Sequence, residues 1–334
     1  MDGEGTAALD TALRAAGAAS GDVMRSEPLP GGTYNTLHRV LLRDGGQWVV
    51  KLPPPVSVPG LSHERGLLRG EVEFYTAAGA LPGMPVPRVV RYEADPGAPT
   101  GAFLVMSACP GASWHELDGR LAADERARLR GELGGVVARL HTVTGHGFGY
   151  PAQPFGPLSG TWREAFTLML ERLLEDAVRY GARLPRAPDA IRALASGAAG
   201  ALDEVTVPVA VHFDLWQGNV LLDGAPGART VSGIIDGERM FWGDPLADFV
   251  SLALLDDIEK DGDFLAGYAA AGGTTRWDRA ARTRMALYRC YLYLIMLVEA
   301  VPRAYPQDHR EWADRHVAPQ LEAALAELAQ AGAA

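Results

Sequence analysis

The chain has 334 residues, 48% hydrophobic and 22% charged, an ordinary globular composition with enough apolar material for two domains or one large one. A formal net charge of -10 argues against a protein that tracks nucleic-acid phosphates. Cys109 and Cys290 have neither metal-ligand spacing nor a disulfide framework, the N-terminal stretch lacks a signal-peptide pattern, and the longest strongly apolar run, 291–298, is too short to cross a bilayer, so the expectation is a cytoplasmic protein without nucleic-acid or membrane partners.

Residues 5–18 carry apolar side chains at helical spacing. The stretch LPGGTYNTLHRVLLRDGGQWVVKLP reads as turn, strand, turn, strand, with Gly31 and Gly32 in the first turn and Lys51 ending the second strand. A Pro-rich loop at 53–60 precedes HERGLLRGEVEFYTAAGAL, which has the 3.6-residue period of an amphipathic helix. VPRVVRYEAD and GAFLVMSA read as two further strands, giving a small sheet with one helix. Residues 108–112 break this pattern. Beyond them run helical segments at 122–142, 161–181, 186–203, 245–256, 276–301 and 308–331, with short strands only around 209–212, 219–222 and 231–236. The expected architecture is α+β: a sheet-rich N-terminal lobe over 1–107, a hinge at 108–112 and a helical C-terminal lobe over 113–334.

The segment VHFDLWQGNVLLD holds His212, Asp214 and Asn219 between apolar strand-like runs, and a later run, VSGIID, ends at Asp236. Phosphoryl transfer needs phosphates held, magnesium bridging them and an acceptor hydroxyl aligned. Magnesium takes hard oxygen ligands. A base at the hydroxyl must be distinct from the carboxylate that meets the metal. Here Asp214 would orient the hydroxyl or accept its proton, while Asn219 and Asp236 would supply metal-ligand oxygens. His212 would brace the loop by hydrogen bonding. The spacing H-x-D-x4-N followed by an apolar run ending in Asp is the kinase catalytic-loop pattern. The alternative is a surface hairpin with capping Asp and Asn side chains.

The N-terminal lobe would then hold the nucleotide. Gly31 and Gly32 permit close approach of backbone to phosphate, with the N–H groups of Thr33 and Tyr34 as donors. The chain has 31 Lys plus Arg but only two lysines, Lys51 and Lys260. Lys51, at a strand end, would reach the α and β phosphates. Glu71 on the following helix would pair with it; Glu73 is the rival, on another face of the same helix.

Together GGTYN, VVKLP, EVEFY, FLVMSACPG, HFDLWQGNVLLD and SGIIDGERMFWGDPLADF resemble the aminoglycoside phosphotransferase and choline kinase-like family. The resemblance implies a two-lobed protein-kinase-like fold, ATP (in some members GTP) with Mg2+, and a small-molecule hydroxyl as acceptor. It makes Asp214 the base, Asn219 and Asp236 metal ligands, Lys51 and Glu71 the phosphate-binding pair, and Ser107 to Cys109 the hinge that meets adenine. It has Asp248 bracing the catalytic loop. The chain departs from the family in having Phe213 where Gly is commoner, Gly237 where an aromatic is commoner after the metal Asp, and Ser107 where many members have Glu. No A-P-E segment follows Asp236, which argues against a protein kinase.

For the acceptor, residues 109–334 carry 30 acidic and 22 basic side chains, and an acidic run, DDIEKDGD, lies at 256–263. Such a lining would attract a polyamine sugar. Trp216 and Trp242 are the aromatics placed to stack on an acceptor. The leading expectation is an antibiotic-modifying kinase, monomeric or homodimeric. The alternatives are a metabolic kinase for a sugar, amino alcohol or choline-like substrate, and a silent fold that only binds nucleotide.

Overall fold

A computed structural model describes residues 3–19, 21–29 and 34–332. The chain runs through helix α1 (Gly3–Ala15), strands β1 (Val23–Pro28), β2 (Thr36–Leu42) and β3 (Gln47–Leu52), helix α2 (Leu67–Gly79), and strands β4 (Val89–Glu93) and β5 (Phe103–Ser107). These strands form one antiparallel sheet in the order β1-β2-β3-β5-β4.

Alternation decides which face each side chain serves. Phe103 and Val105 of β5 join Val50 and Leu52 of β3 under Leu9, Ala12 and Leu13 of α1. Leu104 and Met106 turn the other way and pack with Leu68, Val72 and Tyr75 of α2. Because β5 is buried on both faces, it reads as an unbroken apolar run. The apolar spacing at 5–18 thus becomes a second helix on the sheet. Lys51 lies between Val50 and Leu52 and so points to the α2 face.

After the sheet come β6 (Ala112–Ser113), α3 (Trp114–Leu117), α4 (Ala123–Leu140), α5 (Trp162–Tyr180), α6 (Pro188–Ala198), β7 (Val209–Val211), β8 (Val220–Asp223), β9 (Thr230–Ile234), β10 (Phe241–Gly243), α7 (Leu246–Leu252), α8 (Gly262–Ala270), α9 (Arg279–Glu299) and α10 (Gln307–Gly332). β8 and β9 form a hairpin joined by β6, and β10 pairs with β7. α9 is the hub: α5, α7 and α10 all pack on it.

The sequence reading passed over α8 and β10. α8 crosses α4 backbone to backbone: a Cβ on Gly134 or Gly267 would collide with the main chain of the facing helix. Glycine lowers helix propensity, so local sequence reads as loop what close packing makes helix. Within the run at 256–263, two acidic side chains cap helical turns. Asp257 accepts from the Glu259 N–H at 3.0 Å, and Asp261 accepts from the Phe264 N–H at 3.0 Å and pairs with Arg130.

No helix among the described residues is long and apolar enough to cross a membrane.

Candidate active site

The β8–β9 hairpin sets the spacing of the site. Val220 pairs with Ile234, and the Ile235 N–H donates to the Asn219 carbonyl at 3.0 Å. Asn219, which closes a 3-10 turn at Gln217–Asn219 before β8, therefore lies beside the strand end that delivers Asp236. The Asn219 side-chain amide donates to the Asp214 carbonyl at 2.9 Å and to its Oδ2 at 3.0 Å. Both Asn219 N–H groups are thereby engaged, and its Oδ1 is left for another partner.

The loop between β7 and this turn is held from beneath by Asp248 of α7, fully buried. Its Oδ1 accepts from the Phe213 N–H at 2.6 Å, and its Oδ2 accepts from the His212 N–H at 3.2 Å and lies 3.0 Å from His141 Nε2. Ser251 Oγ accepts from the Leu215 N–H at 2.9 Å. His212 lies 2.9 Å from the Ile235 carbonyl through Nε2, and its Nδ1 accepts from the Asp214 N–H at 3.2 Å. The Ile235 carbonyl opposite Nε2 and the Asp214 N–H opposite Nδ1 put the ring proton on Nε2, and burial pushes the His212 pKa down, which favours the neutral ring.

Phe213 and Asp236 both occupy the left-handed region, with φ of 64° and 62°. For a non-glycine residue this costs about 1–2 kcal/mol. Phe213 is fully buried, with its ring 5.0 Å from that of Phe241 and 5.7 Å from that of Tyr291. That burial offsets the strain. Gly237 has a different reason: a Cβ there would run into the Phe74 ring of α2, which also meets His212 edge-on at 4.9 Å. The aromatic commoner at position 237 in the family is replaced here by one reaching in from α2.

Lys51 is the centre of charge. Its Nζ lies 2.7 Å from Glu71, 2.6 Å from Asp236 and 2.7 Å from Glu238. Burial opposes its charge, but the three carboxylates outweigh it and hold its pKa well above the usual lysine value. Glu71 is wholly buried; burial pushes it up to about 7 against the pull of Lys51. Asp236 moves the other way: burial would raise it, and contact with Lys51 brings it below the ordinary carboxylate value. Tyr75 links the two, donating to Glu71 Oε1 at 2.9 Å and accepting from the Asp236 N–H at 2.9 Å. Burial raises Asp214 to about 6, held back by Arg239 and helped by Asp236, Glu299 and Glu238.

The structure thus gathers Lys51, Glu71, Asp214, Asn219 and Asp236, while Glu73 faces solvent. Gly31, Gly32 and Thr33 lie outside the described residues. The ring of Tyr34 lies 4.9 Å from the Arg303 guanidinium. Ser107 ends β5; its N–H donates to the Arg88 carbonyl and its hydroxyl accepts from the Arg88 N–H, both at 2.9 Å. Cys109 is half-buried, its thiol pushed up to about 11 by burial. Trp216 is 36% exposed and tilts against His115 at 5.5 Å. With Gln217, Arg126, Arg130 and the 256–263 segment it lines a cavity of about 660 Å³. Trp242 does not fit the expectation of a stacking surface. It is 5% exposed, paired in β10 with Ala210, and covers the space a Gly145 side chain would need.

Four residues of the site were not singled out in the sequence. Glu238 stands two residues after Asp236 and its spacing was a usable signal. Asn35 sits inside GGTYN. Arg239, 2.7 Å from Glu299, and Arg303, paired with Glu64, depend on contacts 60 and 239 residues apart that no local pattern announces.

The carboxylates could hold a hard cation. One oxygen each from Glu71, Asp236 and Glu238 lie within 4.8 Å of one another. Glu71 is engaged by Lys51 and Tyr75. Asp236 and Glu238 offer the hard carboxylate oxygens that magnesium takes, and Asn219, beside the strand end that delivers Asp236, has an amide oxygen without a hydrogen bond among the described residues.

A sequence model described as the Phosphotransferase enzyme family matches residues 26–288. A search of curated proteins finds no match. Among solved structures, the fold is similar to a putative fructosamine-3-kinase from Thermobifida fusca YX-ER1, 22% identical, TM-score 0.64, covering 91% of this chain and 98% of that one. It is also similar to a thermostable mutant of an aminoglycoside phosphotransferase in ternary complex with AMP-PNP and hygromycin B, 16% identical, TM-score 0.62, covering 92% and 95%. A third is a macrolide 2'-phosphotransferase type I, 17% identical, TM-score 0.60, covering 95% and 98%. At these identities the structures speak for the fold, which is that of kinase-like phosphotransferases, and the motif match over 26–288 speaks for the family. The chain belongs to the Phosphotransferase enzyme family and is a small-molecule kinase.

Proposed function

We propose that the enzyme transfers the γ-phosphate of ATP to a hydroxyl of a small molecule, with an antibiotic as the leading acceptor class. The observation that carries this reading is the convergence of Asp214, Asn219 and Asp236 beneath Lys51. Residues 1–107 form the nucleotide lobe, 108–112 the hinge and 113–334 the lobe with the acceptor site. The backbone of Ser107 to Cys109 meets the adenine, and the N–H groups of Thr33 and Tyr34 donate to the phosphates. An ATP-dependent reaction fits a cytoplasmic setting.

Lys51, steadied by Glu71, exchanges part of its carboxylate contacts for phosphate oxygens. Asp214 accepts the proton of the acceptor hydroxyl as its oxygen attacks the γ-phosphorus. The bond to the β-phosphate oxygen breaks and ADP leaves. Asn219, Asp236 and Glu238 would hold Mg2+, which would supply charge neutralisation to the phosphates. Asn219 also orients Asp214 through its side-chain amide. Arg239 keeps that carboxylate ionisable despite burial.

Similar structures carry hygromycin B or streptomycin, or are macrolide kinases, which supports an antibiotic acceptor. A metabolic sugar-type acceptor is the second reading, favoured by the 22% identity to the putative fructosamine kinase. Incubation with ATP and Mg2+ against aminoglycosides, macrolides, nucleoside antibiotics, sugars and amino alcohols should raise the mass of one antibiotic by one phosphate. Phosphorylation confined to the metabolites would overturn the antibiotic reading.

A further inference from the structure

The entry to α2 has little to fix it locally. The Pro-rich loop before it leaves Val56 and Val58 exposed, and Gly66, with φ of 81°, precedes the helix without a side-chain cap. Each of the three residues of the 3-10 turn Ser62–Glu64 is held instead by the helical lobe. Asp176 of α5 accepts from the Ser62 N–H through Oδ2 at 2.5 Å and from the Ser62 hydroxyl through Oδ1 at 2.7 Å. His63 stacks on Tyr150 at 5.5 Å, and Glu64 pairs with Arg303. Tyr180, also of α5, donates to the Gly60 carbonyl at 2.8 Å. Further along α2, the Phe74 ring covers Gly237, and a Cβ on Gly70 would come within 3.2 Å of the Glu238 carbonyl. Glu238 is itself held by Lys51 and by Asn35, whose Nδ2 donates to Oε2 at 2.9 Å. Glu71 lies between these two points of support.

We propose that Asp176 is a positioning residue that sets Glu71 against Lys51 by fixing the entry of α2. The inference rests on the reading of Lys51 and Glu71 as the phosphate-binding pair. Asp176 lies on the core-facing side of α5 with Leu173, Leu174 and Ala177, and it is fully buried. A carboxylate in such a place is costly unless it is hydrogen-bonded and paired. Packing of α5 alone would be served by an apolar side chain. Asp176 instead directs both oxygens at Ser62, with Arg179 of its own helix as counter-charge at 3.0 Å. A helix transmits displacement along its axis, so a shift at the α2 entry is carried to Glu71, about one turn in from Leu67. The contact at stake is the 2.7 Å between Lys51 Nζ and Glu71 Oε2. A movement of about 1 Å takes it out of hydrogen-bond range. Asp176 thus acts through α2 and leaves the phosphates to Lys51.

The tether is tested first on the full chain without ligand, by hydrogen exchange of amides 70–79. Asp176→Ala should speed exchange there by at least about 10-fold. Asp176→Asn, whose amide can accept from the Ser62 N–H and donate to its hydroxyl, should stay within about 3-fold of the parent. Unchanged exchange in Asp176→Ala, or equal exchange in the two variants, overturns the tether. Its effect on the site is then read by calorimetric binding of ADP and of adenosine, which has no phosphates for Lys51 to hold. Asp176→Ala should weaken ADP by about 10-fold and leave adenosine within about 2-fold, and Asp176→Asn should keep ADP within about 3-fold of the parent. Unchanged ADP affinity, or equal losses for the two ligands, would make Asp176 a support of the fold alone and overturn the proposal. On a Glu71→Gln background, adding Asp176→Ala should weaken ADP by less than about 2-fold more; the full loss there would show that Asp176 does not act through Glu71. If Asp176→Ala fails to fold, Ser62→Ala carries the test, since it keeps the N–H bond and loses only the hydroxyl bond. ADP should then weaken by about 3-fold with adenosine unchanged, and unaltered ADP binding overturns the proposal. Glu71→Gln alone is the control for the underlying reading. If it binds ADP as the parent does, the phosphate-binding pair falls and the positioning role with it, while the exchange result still decides the tether.

Discussion

Asp214 combines a raised pKa with fixed geometry, which is the profile of a base working near neutrality. Asp214→Ala should lower kcat by about 10²–10⁴ with nucleotide affinity largely kept, measured by steady-state kinetics alongside calorimetric ADP binding. Loss of ADP binding with turnover intact would contradict the role. For the parent enzyme, the acid limb of kcat/KM should fall off near pH 6, where Asp214 takes up its proton. The sign for stability follows from the same shift. A carboxyl raised from 3.8 to about 6 in the folded state makes no unfavourable contribution below pH 4, one that grows as pH rises from about 4 to 6, and a constant one above that. Asp214→Asn should therefore be more stable than the parent at pH 8, and the gain should disappear by pH 4 in urea titrations. Phe213 gives a prediction of opposite sign. Phe213→Gly relieves about 1–2 kcal/mol of backbone strain but removes a buried aromatic worth about 3–5 kcal/mol. A net loss of about 1–4 kcal/mol is expected from the shift of the urea midpoint at constant slope.

At the scale of elements, the catalytic loop is positioned from below by one short helix. α7 contributes Asp248 and Ser251, which together take three N–H groups of the loop, those of His212, Phe213 and Leu215, while the Asp214 N–H goes to His212 Nδ1. Asp248→Ala would leave buried donors without partners, at about 1–3 kcal/mol each before relaxation. The expected outcome is a drop in thermal midpoint of several degrees and a fall in kcat larger than the change in nucleotide KM. A kcat equal to the parent's would show that the loop holds its shape without α7. Much of this was legible in the sequence. His212, Asp214, Asn219 and Asp236 announce themselves through fixed spacing across a hairpin, and Lys51 through its rarity in an arginine-rich chain. What stayed hidden depends on distance along the chain. Glu64 and Arg303 meet across 239 residues, and α8 exists because two glycine-bearing helix faces touch. Trp242 misled for a related reason: its place after Asp236 suggested a cleft wall, but the strand pairing of β10 turns it into the core.

For the whole molecule, the sheet and the helices meet through charge as much as through apolar packing. Lys51 comes from β3, Glu71 from α2, Asp236 and Glu238 from the segment after β9. Removing the cation would leave three buried or half-buried carboxylates facing one another, so Lys51→Met should destabilise the fold as well as abolish turnover, by roughly 3–5 kcal/mol at pH 8 and less at pH 5, where Glu71 is protonated. Denaturant titrations at the two pH values check the difference, and equal losses would argue that the cluster is not the cause. The distribution of amines has a practical outcome. Of the two lysines, Lys260 is 71% exposed and Lys51 is 3% exposed. An acylating reagent added in a short pulse will mark Lys260 at once and reach Lys51 only in molecules whose lobes have parted. The ratio of the two marks, read from a digest, turns this one chain into its own gauge of how often the interior opens.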